Sequence, residues 1–193
     1  MEDLSEKFNH LYQVISSRRF LSMEALGGEI PFFISAYSAQ QELAVRESIK
    51  MLINKLETNG TRVLEINLYD QVCEILDGKG GIDKMFRIEK VKGKEKFLRA
   101  MQSTLNIHEV LMPRIEELIK ASNANVYFLT GIGLVFPYIR SHNILNNLQN
   151  IAKNAPTVCF FPGLYNGQSL NLFGLLKDDN YYRAFNIENI EAR

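Results

Sequence analysis

A chain of 193 residues that is 46% hydrophobic and 23% charged has material for one well-buried core and little for two, so a single domain over residues 1–193 is expected. Its 22 Lys and Arg balance 22 Asp and Glu, so no net field draws it to nucleic acid or an anionic membrane, and direct DNA binding is not expected. No apolar run approaches the roughly 20 residues that cross a bilayer. The first residues lack the basic start and continuous apolar region of a signal peptide. Cys73 and Cys159 sit alone in apolar stretches, as the reduced thiols of a cytoplasmic protein do.

Leu4, Phe8, Leu11, Tyr12 and Ile15 recur at helical spacing and predict an amphipathic helix ending near Ser16-Ser17. Ile30 to Tyr37 reads as a first strand, with Pro31 tolerable near its start. Ser38 and Gln41 form a capping-box pattern before a helix whose Val45, Ile49, Leu52, Ile53 and Leu56 make one apolar face, stopped at Asn59-Gly60. Arg62 to Leu68 alternates as a second strand, and Tyr69 to Leu76 has the look of a short helix. After the break at Gly78 to Gly81, a charged helical region runs from Ile82 to about Leu105. Lys84, Arg87, Lys90, Lys92, Lys94, Lys96 and Arg99 make it the most basic part of the chain. A solvated face is the plain reading of those charges, and a docking face for an acidic partner is the other.

Asn106 with Glu109 marks another helix start, and Pro113 signals either a kink or a fresh start with proline in the first turn; the end falls near Ser122. Asn125 to Thr130 is a third strand, followed by the turn Gly131-Ile132-Gly133. A long helix is then expected from Pro137 to about Asn154, with Ile144, Leu145, Leu148, Ile151 and Ala152 inward. Thr157 to Phe161, continuously apolar, is a fourth strand, followed by the turn Pro162-Gly163 and short extended pieces near Leu170 to Phe173 and Tyr181 to Ile187. Strands alternating with helices predict an α/β three-layer sandwich with a mainly parallel sheet, P-loop-NTPase-like or Rossmann-like but without a phosphate-binding loop.

The missing loop matters because the turn after a strand's carboxyl end is where such folds meet ligands. Neither Gly78-Lys79-Gly80 nor Gly93-Lys94-Glu95 ends in the Lys-Ser/Thr pair a P-loop needs, and Phe136 stands where a dinucleotide fingerprint has its third glycine. No catalytic, cofactor-binding or metal-binding residue is assigned. Beyond the glycine turn, Arg140, His142, Asn143, Asn146 and Asn147 cluster at helical spacing, with His142 and Asn146 on one face. In the tail, Tyr181, Tyr182 and Arg183 join aromatic rings to a guanidinium in a composition suited to an interface. These eight residues are the candidate partner-binding set. A hydrolase or nuclease using His142 with Glu65, Asp70 or Asp178-Asp179 is the enzymatic alternative, and nucleotide or DNA binding without turnover a third reading.

With GGEIPFFI at Gly27 to Ile34, RVLEINLYD at Arg62 to Asp70, FLTGIGLVFPYIRSHNILNNLQ at Phe128 to Gln149, FFPGLYNGQSLNLF at Phe160 to Phe173 and LKDDNYYRAF at Leu176 to Phe185, the sequence resembles the BrxB family of bacteriophage-exclusion (BREX) defence systems. The resemblance implies a cytoplasmic member of a multi-component system that includes a large ATPase, a DNA methyltransferase and PglZ, a protein of the alkaline-phosphatase type. It carries no catalytic motif. The expected function is therefore a non-catalytic adaptor that docks another BREX component, the PglZ-like protein first, with a homodimer as the alternative partnership.

Overall fold

A computed structural model describes residues 3–23, 31–177 and 184–191. Helix α1, Leu4–Ile15, starts where the Asp3 carboxylate accepts hydrogen bonds from the Ser5 and Glu6 amides, and a single turn, α2 (Arg18–Leu21), follows it on a Ser17 cap. The sheet is built from β1 (Phe32–Tyr37), β2 (Val63–Asn67), β3 (Val126–Thr130), β4 (Thr157–Tyr165) and β7 (Phe185–Asn186), in the spatial order β2-β3-β4-β1-β7. All four pairings along that path are parallel. β5 (Leu170–Leu172) and β6 (Leu176–Lys177) add an antiparallel extension beside the end of β4.

Period-two alternation sorts the strand side chains onto two apolar layers. Phe33, Tyr37, Val126, Phe128, Val158 and Phe160 lie in one, with α1, α2 and the buried face of α3 (Glu42–Thr58). Phe32, Ile34, Ile66, Tyr127, Leu129, Cys159 and Phe161 lie in the other, against α4 (Leu68–Gly78), α6 (Lys94–Thr104), α7 (Met112–Ala121) and α8 (Ser141–Ile151). α5 (Ile82–Val91) contributes only Met85 as a buried residue. Every residue of β3 is buried, as expected of a strand covered on both sides. The three layers are helix, parallel sheet and helix.

Several local expectations change. Ser38 does not cap: the chain makes a 3-10 turn, Ala39–Gln41, and Ser38 forms no side-chain cap bond, so α3 begins at Glu42. The charged region splits into α5 and α6 at Gly93, which occupies the N-cap of α6. Pro113 falls in the first turn of α7, after a wide turn, Ile107–Leu111, whose His108 and Glu109 amides donate to the Asn106 side chain. Proline there needs no backbone N–H and kinks nothing. The turn expected at Pro162-Gly163 is instead strand: β4 runs on to Tyr165 because its carboxyl half pairs with β5. A Cβ on Gly163 would lie 2.1 Å from the Asn171 carbonyl oxygen, so only glycine admits that partner so close.

Candidate functional site

The carboxyl ends of β1, β2 and β3 meet the first turns of α3 and α4 around a pocket of about 110 Å³ lined by Tyr37, Glu42, Arg46, Lys50, Glu65, Asn67, Asp70, Thr130 and Gly131, among others. This is the position at which open parallel sheets bind ligands. Two pairs of its polar side chains are engaged with each other. The Tyr37 hydroxyl donates to Glu42 at 2.7 Å, and the Thr130 hydroxyl donates to Glu65 at 2.7 Å. The Asn67 side chain accepts from the amides of Tyr69 and Asp70 at 3.0 and 3.4 Å, capping α4. Burial, then the bond to Glu42 and its charge, hold the Tyr37 phenol far above its ordinary range, so it stays neutral.

The glycine turn has a packing reason. Gly131 sits at φ +74, and a Cβ there would come within 2.6 Å of the Asn67 side-chain oxygen, so the turn presses directly on the capped start of α4. A Cβ on Gly133 would meet Phe173 and Pro162, each at 2.9 Å. Phe136 also lies edge-on to Phe173 at 6.1 Å, so the segments after β3 and after β4 form one contact layer. Where a phosphate loop would stand, between β1 and α3, the chain reads Ser38-Ala39-Gln40-Gln41, without a glycine and wound into the 3-10 turn.

The helix expected from Pro137 begins instead at Ser141. Phe136, preceding proline, is extended at φ −69, ψ 139, as the proline ring requires. Val135 and Ile139, on either side of that proline, are buried in the core, and α8 starts only beyond them. Arg140 is thereby the exposed N-cap of α8, extended at φ −94, ψ 139. His142 and Asn143 stand half-buried in the first turn, with Asn146 exposed and Asn147 half-buried one turn on. Asn147 donates to the Asn143 carbonyl at 2.6 Å and Asn150 to the Asn146 carbonyl at 3.3 Å, so part of the amide-rich character serves the helix's own backbone.

Tyr181, Tyr182 and Arg183, and the paired Asp178-Asp179, lie outside the described residues. The chain re-enters beside the same layer, where the Tyr165 hydroxyl donates to the Ala184 carbonyl at 2.6 Å. Glu65 and Asp70 line the pocket, whereas His142 is not among its lining residues. Among the described residues, no three of His, Cys, Asp and Glu gather closely enough to hold a metal ion, and no helix is long and apolar enough to cross a membrane. Sequence reasoning missed the Tyr37–Glu42 and Thr130–Glu65 pairs. The only signal for the second was a glutamate alternating into a strand.

A family model described as BREX protein BrxB matches residues 64–187. The BREX protein BrxB of Bacillus cereus (strain H3081.97) is 38% identical over 191 residues, covering 97% of this chain and 98% of that protein. The BREX protein BrxB of Escherichia coli O9:H4 (strain HS) is 29% identical over 184 residues, covering 95% and 91%. No solved structure matches significantly. With the family match and these two relatives in agreement, the chain belongs to the BrxB family of BREX phage-defence proteins.

Proposed function

We infer that the protein is a non-catalytic, single-domain cytoplasmic adaptor that docks another BREX component, the PglZ-like protein first, through the start of α8, with Tyr181, Tyr182 and Arg183 of the tail as further candidate contacts. The observation that carries this reading is Arg140 at the exposed N-cap of α8. A Ser, Thr, Asp or Asn there would add about 1 kcal/mol by accepting from the first-turn amides, and a cation beside the positive end of the helix dipole is unfavourable. A guanidinium at that position sacrifices helix stability, which is understandable if it serves a partner. Engagement of the pocket's Glu42 and Glu65 in fixed hydrogen bonds supports a scaffold reading of the same edge.

The test is co-purification with each BREX component in turn, using wild type, Arg140→Ala and Tyr182→Ala, each confirmed folded by circular dichroism. Truncating an arginine or tyrosine anchor at an interface costs about 2 kcal/mol or more, roughly thirtyfold in affinity. Retention of no component by the wild type defeats the adaptor reading, and retention unchanged in both variants defeats this surface. Sedimentation of the protein alone separates the homodimer alternative.

A further inference from the structure

α5 is an underburied helix. A ten-residue helix is marginal in water, and most helices of that length are held by an apolar face packed on the core. Here Met85 is the single buried residue, while Ile82, Phe86 and Val91 remain 39%, 55% and 85% exposed. Lys84, Arg87, Ile88 and Val91 fall at helical spacing along one stripe, and with Gly80 and Lys92 they line a shallow groove. Cations and aliphatic side chains therefore alternate on a single open surface.

The segment that carries that surface has a positive excess. From Lys79 to Arg99 the chain carries eight Lys and Arg against three Asp and Glu. In a chain with zero net charge, that excess of five is matched by an equal acidic excess elsewhere. All eight cations are exposed, and among the described residues only Arg99 has a carboxylate partner, Glu95 at 3.9 Å. Self-repulsion among them is relieved by an acidic counterpart.

We propose that the α5–α6 face is a docking surface for an acidic amphipathic segment of a partner protein, separate from the α8 surface. Nucleic acid would satisfy the cations through its phosphates but leave Ile88 and the largely exposed Val91 of the same groove against a polar backbone. An acidic segment with its own apolar stripe satisfies both. An adaptor with this second surface could hold two partners at once, but the proposal stands on α5–α6 alone.

The test is fluorescence anisotropy with the full chain and synthetic helical peptides of about 18 residues, long enough to form helix on binding. One peptide carries a leucine stripe flanked by glutamates. A second has every leucine replaced by serine, and a short DNA duplex is the third probe. The leucine–glutamate peptide binds saturably, and Arg87→Glu and Val91→Ser each weaken it at least about tenfold, whereas Arg140→Ala leaves it unchanged. Both altered side chains are exposed, and circular dichroism verifies that the variants fold. The proposal is overturned if the leucine–glutamate peptide does not bind, if the serine peptide or the duplex binds as tightly, or if neither α5 variant weakens binding. Because Arg140→Ala is the variant that tests the α8 surface, the two readings fail separately.

Discussion

Cys159 and Tyr37 are neutral residues of the core whose charged forms the fold does not accommodate. Cys159 is fully buried in β4, and burial pushes its thiol well above its ordinary value of 9.0. Burial and Glu42 do the same for the Tyr37 phenol, whose ordinary value is 10.0. In both, the folded chain holds a proton that the unfolded chain releases at lower pH, so their contribution is complete below those ordinary values and is lost progressively as pH rises from them toward the raised values of the folded state. Urea midpoints should therefore fall from about pH 9 upward, and Cys159→Ala should move the onset toward pH 10. An unchanged midpoint between pH 8 and pH 11 would contradict this account. Burial of Cys159 was legible from its apolar neighbours, but the bond between Tyr37 and Glu42 was not, because Glu42 read simply as the start of a helix.

Among the elements, the β3 turn and α4 form one unit through contact between Gly131 and the Asn67 cap. Gly131→Ala meets a left-handed backbone and an oxygen 2.6 Å from the new Cβ, so the turn or the cap must move. Strain of about 1 kcal/mol or more adds to about 1 kcal/mol for a disturbed cap. A loss of about 2 kcal/mol in chemical denaturation is expected, with faster hydrogen exchange at the Tyr69 and Asp70 amides. Gly60→Ala, also at positive φ but with nothing within 4 Å of its Cβ, should cost less. The glycine pair was visible in the sequence as a turn. Its partner, 64 positions earlier, was not.

Across the whole molecule, the two ends of the described chain are fastened to β1 by a buried charge. Lys7 of α1 is 7% exposed, and its ammonium donates to the Ala36 carbonyl and contacts the Glu188 carboxylate, each at 2.6 Å. Ser35 donates to the same carboxylate at 3.0 Å. Removing Lys7 leaves the half-buried Glu188 carboxylate, 27% exposed, with the Ser35 hydroxyl as its remaining partner, so Lys7→Met should destabilise by about 2 kcal/mol, and adding Glu188→Gln should restore part of the loss. The exposed pair of Lys50 and Glu47, at 2.8 Å, serves as the control, whose removal is expected to leave stability nearly unchanged. If Lys7→Met is as mild as the control, the pair does not fasten the ends.

Periodicity alone determined that this chain makes an α/β sandwich. Strands covered on both faces need apolar residues at every position, and helices on their flanks need one apolar stripe, so both periods are written locally in segments such as Val126 to Thr130 and Val45 to Leu56. The family was legible for a similar reason, since its motifs are contiguous. Tertiary structure decided what depends on residues distant in the chain. β4 extends past Pro162 only because β5 arrives beside it, and α8 starts at Ser141 because Val135 and Ile139 are drawn into the core first. Lys7, one of many lysines by sequence, is buried because the Ala36 carbonyl of β1 and the Glu188 carboxylate, both remote in the chain, supply its partners. Local pattern encodes which face is apolar; which polar group meets which is settled only when the layers close.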